Sequence, residues 1–242
     1  MLSHEIRGGV SQSLLCRLAP DQEMYCDDGR FLWKTPNVAL ETKAVAAGPG
    51  NAIRGQGLLG RALSGAAQVG RRAHTGTSIA LPHFRAGGGT GLCSFAGALP
   101  GQLRQIELDG TRTWTVPRSA FVAAESSVGL DLAPDGPTGD GTPVLGRFAG
   151  TGSLFVAAAG DFIDLNPADY GGVIHADAAC LIAFDDGISF SHEATGKLIG
   201  KSRSPATLEG DGKVILQSVA IRWDLGRHPR AAAARAADEE DD

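Results

Sequence analysis

Apolar residues recur in this chain at matching places three times over, and that recurrence constrains the fold more than any single motif does. Between positions 106 and 130 stand Ile106-Glu107-Leu108, Trp114-Thr115-Val116, Phe121-Val122-Ala123 and Val128-Gly129-Leu130. Ninety residues earlier the same places hold Cys16-Arg17-Leu18, Met24-Tyr25-Cys26, Phe31-Leu32-Trp33 and Val38-Ala39-Leu40. Sixty residues after the last two runs come Leu181-Ile182-Ala183 and Ile188-Ser189-Phe190. A second half-unit, a Gly-x-Gly turn leading into an apolar run, also occurs three times. It is Gly89-Thr90-Gly91 before Leu92-Cys93-Ser94-Phe95, Gly150-Thr151-Gly152 before Ser153-Leu154-Phe155-Val156, and Gly210-Asp211-Gly212 before Lys213-Val214-Ile215-Leu216.

The period inside each unit is that of a strand. Val128, Leu130 and Leu132 alternate with Gly129 and Asp131, which buries one face only. Asp28-Gly29, Pro100-Gly101, Asp109-Gly110 and Asp186-Gly187 separate the runs and supply residues that tolerate or preset a bend. The simplest assembly lets the last strands complete the first unit. The repeats then read 10–42 completed by 206–225, 78–132 and 143–193, in one closed β domain over 1–225. Closure would remove the exposed strand edges that invite aggregation. A low-complexity tail, 226–242, follows, with four consecutive alanines and a terminal run of five acids. Those acids repel one another, and the tail reads as flexible.

A chain of 242 residues buries enough surface to fold without a disulfide or metal staple. With aromatics at 6%, the core must be built mainly from Val, Leu, Ile and Ala. No run of about 18 apolar residues occurs, and the first residues lack the layout of a signal peptide, so a cytoplasmic location is expected. Cys16, Cys26, Cys93 and Cys180 are too scattered for a metal motif and read as buried thiols acting as small hydrophobes.

Several segments carry a family likeness. Glu23-Met24-Tyr25-Cys26-Asp27-Asp28-Gly29-Arg30-Phe31-Leu32-Trp33, Pro100-Gly101-Gln102, Ala120-Phe121-Val122-Ala123 and Gly150-Thr151-Gly152-Ser153-Leu154-Phe155-Val156-Ala157 occur in an order that resembles the altered-inheritance-of-mitochondria twenty-four family. The likeness covers about residues 10 to 220. It implies a double-stranded β-helix related to the tryptophan RNA-binding attenuation protein (TRAP), with three units about a pseudo-threefold axis. Fungal mitochondrial members are linked to inner-membrane organisation and respiratory growth. The family brings no catalytic residue to transfer. The segment from Ala66 to Thr75 departs from the family pattern as an insertion.

No catalytic constellation emerges, and no cofactor, metal or enzymatic activity is expected. Gly55-Gln56-Gly57-Leu58-Leu59-Gly60 matches a dinucleotide fingerprint, but the acidic partner some 20 residues on is missing, because no acid lies between Glu41 and Glu107. The six histidines show no ligand spacing, although His175-Ala176-Asp177 could set two polar groups on one strand face. Ser94, Ser126 and Ser153 sit in strand or turn contexts rather than at a nucleophile elbow. Asp185-Asp186 precede Gly187 and read as turn chemistry.

Charge is more informative. The acid-free stretch from Thr42 to Ile106 holds Lys43, Arg54, Arg61, Arg71, Arg72, Arg85 and Arg104, leaving 15 of the 22 basic residues against all 27 acidic ones elsewhere. Arginine forks match phosphates, and a local positive field attracts anions within about a Debye length. Arg54, Arg61, Arg71, Arg72 and Arg85 are therefore the candidate anion contacts. The alternative is that Gly-rich loops scatter them over separate faces, each merely solvated. The expected function is a non-enzymatic β scaffold that engages a protein partner or an anionic membrane surface, as a monomer or small homo-oligomer. A small-ligand site in a cleft between repeats is the first alternative. Nucleic-acid binding is the second, weakened because Phe84 and Phe95 are the stretch's only base-stacking aromatics.

Overall fold

The computed structural model describes residues 2–45, 80–132, 144–192 and 205–220. Strands β1 (Ser3–Arg7), β2 (Ser13–Leu18), β3 (Glu23–Cys26), β4 (Phe31–Lys34) and β5 (Val38–Ala44) precede β6 (Ala80–Ala86) and β7 (Gly91–Ala96). Next come β8 (Gly101–Asp109), β9 (Trp114–Pro117), β10 (Phe121–Glu125), β11 (Val128–Leu132) and the long β12 (Leu145–Ala159). The last are β13 (Phe162–Leu165), β14 (Val173–Ala176), β15 (Leu181–Asp185), β16 (Ile188–His192), β17 (Ala206–Gly210) and β18 (Val214–Gln217). The chain is all-β. Among the described residues the helical structure is two 3-10 turns, Pro167–Tyr170 capped by Asn166 and Ala178–Cys180 capped by Asp177. No helix among them is long and apolar enough to cross a membrane.

One antiparallel pairing scheme runs through three consecutive stretches. In the first, β3 and β5 flank β6, while β2 and β4 flank β7. In the second, β9 and β11 flank the first half of β12, and β8 and β10 its second half. In the third, β14 and β16 flank β17, and β13 and β15 flank β18. A bulge interrupts β4 between Phe31 and Trp33, β10 between Phe121 and Ala123, and β15 between Leu181 and Ala183. The extra residue bends the strand there and increases its twist.

Glycine makes the turn at two equivalent places. Gly150 and Gly210 hold φ of 126° and 134°, and a Cβ would lie 2.4 Å from the Ser127 carbonyl oxygen and 2.2 Å from that of Gly187. A side chain there would meet backbone that cannot move aside.

Strand pairing also links successive stretches: β3 pairs with β10, and β9 with β15. Together these give an 11-stranded sheet, beside a four-stranded sheet ordered β1-β2-β7-β4 and a three-stranded sheet ordered β14-β17-β16. The apolar faces meet in one core around Met24, Phe84 and Phe95 and another around Trp114, Phe121 and Phe148. Leu181, Phe184, Leu208 and Val214 centre a third.

The phase of the repeat differs from the one the apolar pattern suggests. Residues 206–217 complete strands of 162–192, not those of 10–42. The apolar pattern fits both phases, because each Gly-x-Gly half-unit can complete the four strands before it or the next four, counted round from the last set to the first. What separates them is locality: 13 residues separate β16 from β17, against 161 between β5 and β17. The shorter separation costs about 2 kcal/mol less chain entropy to close. No sheet closes on itself among the described residues, and β4 and β14 each keep one edge without a strand.

Candidate interaction surface

The acid-free stretch is not acid-free in space. Lys43 lies 3.3 Å from Glu23 and 3.0 Å from Glu41, and Arg85 lies 2.8 Å from Asp21. Arg104 pairs with Asp164 and stacks its guanidinium 4.3 Å from the centroid of the Phe162 ring. Such exposed pairs add little stability, but they cancel the local field on which anion attraction depends. Arg85 alone of the five candidate anion contacts is described, and its charge is met by Asp21. Arg54, Arg61, Arg71 and Arg72, the glycine motif Gly55 to Gly60 and the 226–242 tail lie outside the described residues.

A partly buried pair emerges that sequence spacing does not reveal. His83 on β6 is nearly buried, with Nδ1 at 2.7 Å from the Glu23 carboxylate on β3 and its ring stacked 5.4 Å from that of Tyr25. Burial works against the Glu23 charge, but the hydrogen bonds from His83 and Lys43 outweigh it and hold the carboxyl below its usual range. The Tyr25 hydroxyl donates to the Val128 carbonyl at 2.9 Å, so this cluster ties the first stretch to the second.

The seam between those stretches carries further buried charge. Arg30 donates from Nε to the Phe121 carbonyl at 3.1 Å and from Nη2 to that of Ser119 at 3.0 Å. Asp27, buried beside it, receives Arg118 Nε at 3.3 Å. Burial raises the Asp27 carboxyl, opposed by Arg118 and Arg30. Asp185, fully buried at the end of β15, takes Arg112 and the Gly187 N–H, so the Asp185-Asp186-Gly187 run is a turn. Asp177 caps the 3-10 turn through Ala179 N–H, which ends β14 where the spacing of His175 and Asp177 suggested a shared face. These polar groups are spent on structure.

The cysteines behave as hydrophobes. Cys16, Cys26 and Cys93 are buried and free, and the Cys93 thiol lies 3.6 Å from the Met24 sulfur. A hydrogen bond with Cys93, then burial, pushes the Cys16 thiol up, and burial with neighbouring Asp27 pushes Cys26 up to about 12.

What faces solvent is apolar where a strand edge is open. Phe31, Leu32 and Trp33 on β4 are 37%, 51% and 44% exposed, whereas Phe121, Val122 and Ala123 at the same places on β10 are at most 3% exposed. On β14, His175 is exposed and Ile174 and Ala176 are half-buried, whereas Tyr25, Met24 and Cys26 at the corresponding places on β3 are fully buried.

The family description "Mitochondrial biogenesis AIM24" matches residues 4–219, nearly the whole described fold. The chain belongs to the AIM24 family. A crystal structure of protein SPYM3_0169 from Streptococcus pyogenes is similar to this AIM24 chain, with a TM-score of 0.70 and 22% identity over 96% of this chain and 100% of that one. Likeness at that identity speaks for the AIM24 fold alone. No curated protein matches the chain.

Proposed function

We propose that this AIM24 protein is a non-enzymatic β scaffold of the cytoplasm that works by binding a protein through a strand edge left open at the end of its sheets. The observation that carries the reading is β4, which among the described residues has one edge unpaired and exposes the side chains of Phe31, Leu32 and Trp33. An incoming strand would take main-chain hydrogen bonds from that edge and cover the apolar side chains, the mode known as β-augmentation. The polar clusters that could suggest chemistry are engaged within the seams. The finer fold reading, three double-stranded β-helical units like those of TRAP in one domain over 1–225, draws support from the recurrence of one pairing scheme over 13–96, 101–159 and 162–217.

The test is capture from an extract of its own cell, with tagged chain compared against a chain carrying Leu32→Glu and Trp33→Glu. The unaltered chain is expected to retain a protein that the variant loses. Equal capture by both would move the working surface away from β4, and turnover of a small molecule by the purified chain would overturn the non-enzymatic reading.

A further inference from the structure

We infer that β4 and β14 are the two halves of one strand junction and that a second copy of this chain joins them, β4 of one copy pairing antiparallel with β14 of the next. The inference rests on the scaffold reading and names its partner. The chain makes this junction twice within itself. At the first, Cys26, Tyr25 and Met24 lie opposite Ala123, Ala124 and Glu125. At the second, Thr115 and Trp114 lie opposite Phe184 and Asp185. The register is the same: moving 90 places on from Tyr25 reaches Thr115, and moving 60 on from Ala124 reaches Phe184.

β4 stands in its stretch where β10 and β15 stand in theirs, each pairing through a bulge with the strand that closes its stretch. β14 stands where β3 and β9 stand, paired with β17 as they are with β6 and the first half of β12. The six-stranded order β8-β12-β10-β3-β6-β5 therefore recurs as β13-β18-β15-β9-β12-β11. The strands left over, β2-β7-β4 and β14-β17-β16, are the two halves of a third such order. Carrying the register across sets Trp33 opposite Ala176, Lys34 opposite His175 and Thr35 opposite Ile174.

Strands β5, β11 and β16 are sheet edges in all three stretches, and so are built as edges. β4 and β14 differ: their counterparts are paired on both sides, and Phe31, Leu32, Trp33 and His175 are exposed where their counterparts are buried. Within one molecule no strand pairing joins them among the described residues, although both belong to the same chain. A second copy supplies the missing half with the same sequence chemistry the internal junctions use. Such a contact is head-to-tail, so it yields a ring where the rotation closes and a longer assembly where it does not.

Disulfide trapping tests this in a Cys180→Ala background. Lys34→Cys is placed in one preparation and His175→Cys in another, and the two are mixed and mildly oxidised. Opposed residues in antiparallel strands hold their Cβ atoms within about 4.5–5.5 Å, near enough for a bridge with slight adjustment. The expected result is a shift from monomer to disulfide-linked dimer in the mixture, not in either preparation alone. Light scattering on the unaltered chain is expected to give a multiple of 24.9 kDa. A bridge that forms inside single molecules of the doubly substituted chain, without a dimer in the mixture, would overturn the second copy in favour of self-closure. A monomer with no bridge would overturn the junction itself. A monomer that still loses a captured protein on Leu32→Glu with Trp33→Glu would end this inference and leave the scaffold reading standing.

Discussion

Arg30 buries its guanidinium against the neighbouring stretch, with Nε 3.1 Å from the carbonyl oxygen of Phe121. A second bond to Ser119 and the nearby Asp27 carboxylate complete its surroundings. Arg30→Met keeps much of the volume but strands two carbonyls and leaves Asp27 with less opposing charge. The expected loss is about 3 kcal/mol, from two charge-assisted bonds and the groups left unpaired. A urea-unfolding midpoint within error of the unaltered chain would show that the seam does not depend on this side chain.

Gly150 and Gly210 sit at the same turn in successive stretches, both in the left-handed region. Gly150→Ala and Gly210→Ala are each expected to destabilise by about 1–3 kcal/mol, through backbone strain together with the clash against Ser127 or Gly187. Gly29, also at positive φ but with open space around its Cβ, is the control, expected to lose about 1 kcal/mol or less. Thermal denaturation of the three variants checks the ordering.

The Glu23–His83 pair predicts a pH dependence with a definite sign. The folded Glu23 carboxyl lies below its ordinary value of 4.5, so its contribution is complete above that value and fades as pH falls through the lower folded value. Glu23→Gln should therefore be less stable than the unaltered chain at neutral pH, and the gap should narrow in acid. A gap that stays constant from pH 7 to pH 2 would rule out the ionised Glu23 carboxylate as its source.

Thiol reactivity separates the cysteines. Cys26, pushed up to about 12 and buried, and the buried Cys16 and Cys93 should resist an aromatic disulfide reagent at pH 8 in the native state. Cys180 is only partly buried and should be the one that reacts, more slowly than a free thiol because burial raises it too. Native reaction should vanish in Cys180→Ala and all remaining thiols should react in denaturant.

The strands themselves were legible in the sequence because their apolar residues alternate and their turns carry Gly and Asp. Phe121 to Ala123 and Phe31 to Trp33 could even be matched as equivalents. The phase was not legible, since the pattern of a repeat has no start, and only the pairing of β17 with β14 and β16 settles it. Nor was the surface. Asp21 and Arg85 are 64 residues apart in sequence yet 2.8 Å apart in space, so a linear count of charges does not show that Arg85 is met by an acid. The open edge of β4 was hidden for a related reason: Phe31-Leu32-Trp33 reads like its buried counterparts, and only the sheet order shows which copy stands at the end.

Amide hydrogen exchange across a dilution series tests the central claim, that β4 and β14 are working edges awaiting a strand. At high protein concentration, N–H groups on the open sides of both strands should gain protection together, and dilution should release them together. The core amides of β3 and β10, already paired, should not change. Protection of β4 and β14 that is absent at every concentration, and remains absent when extract from its own cell is added, would contradict the account.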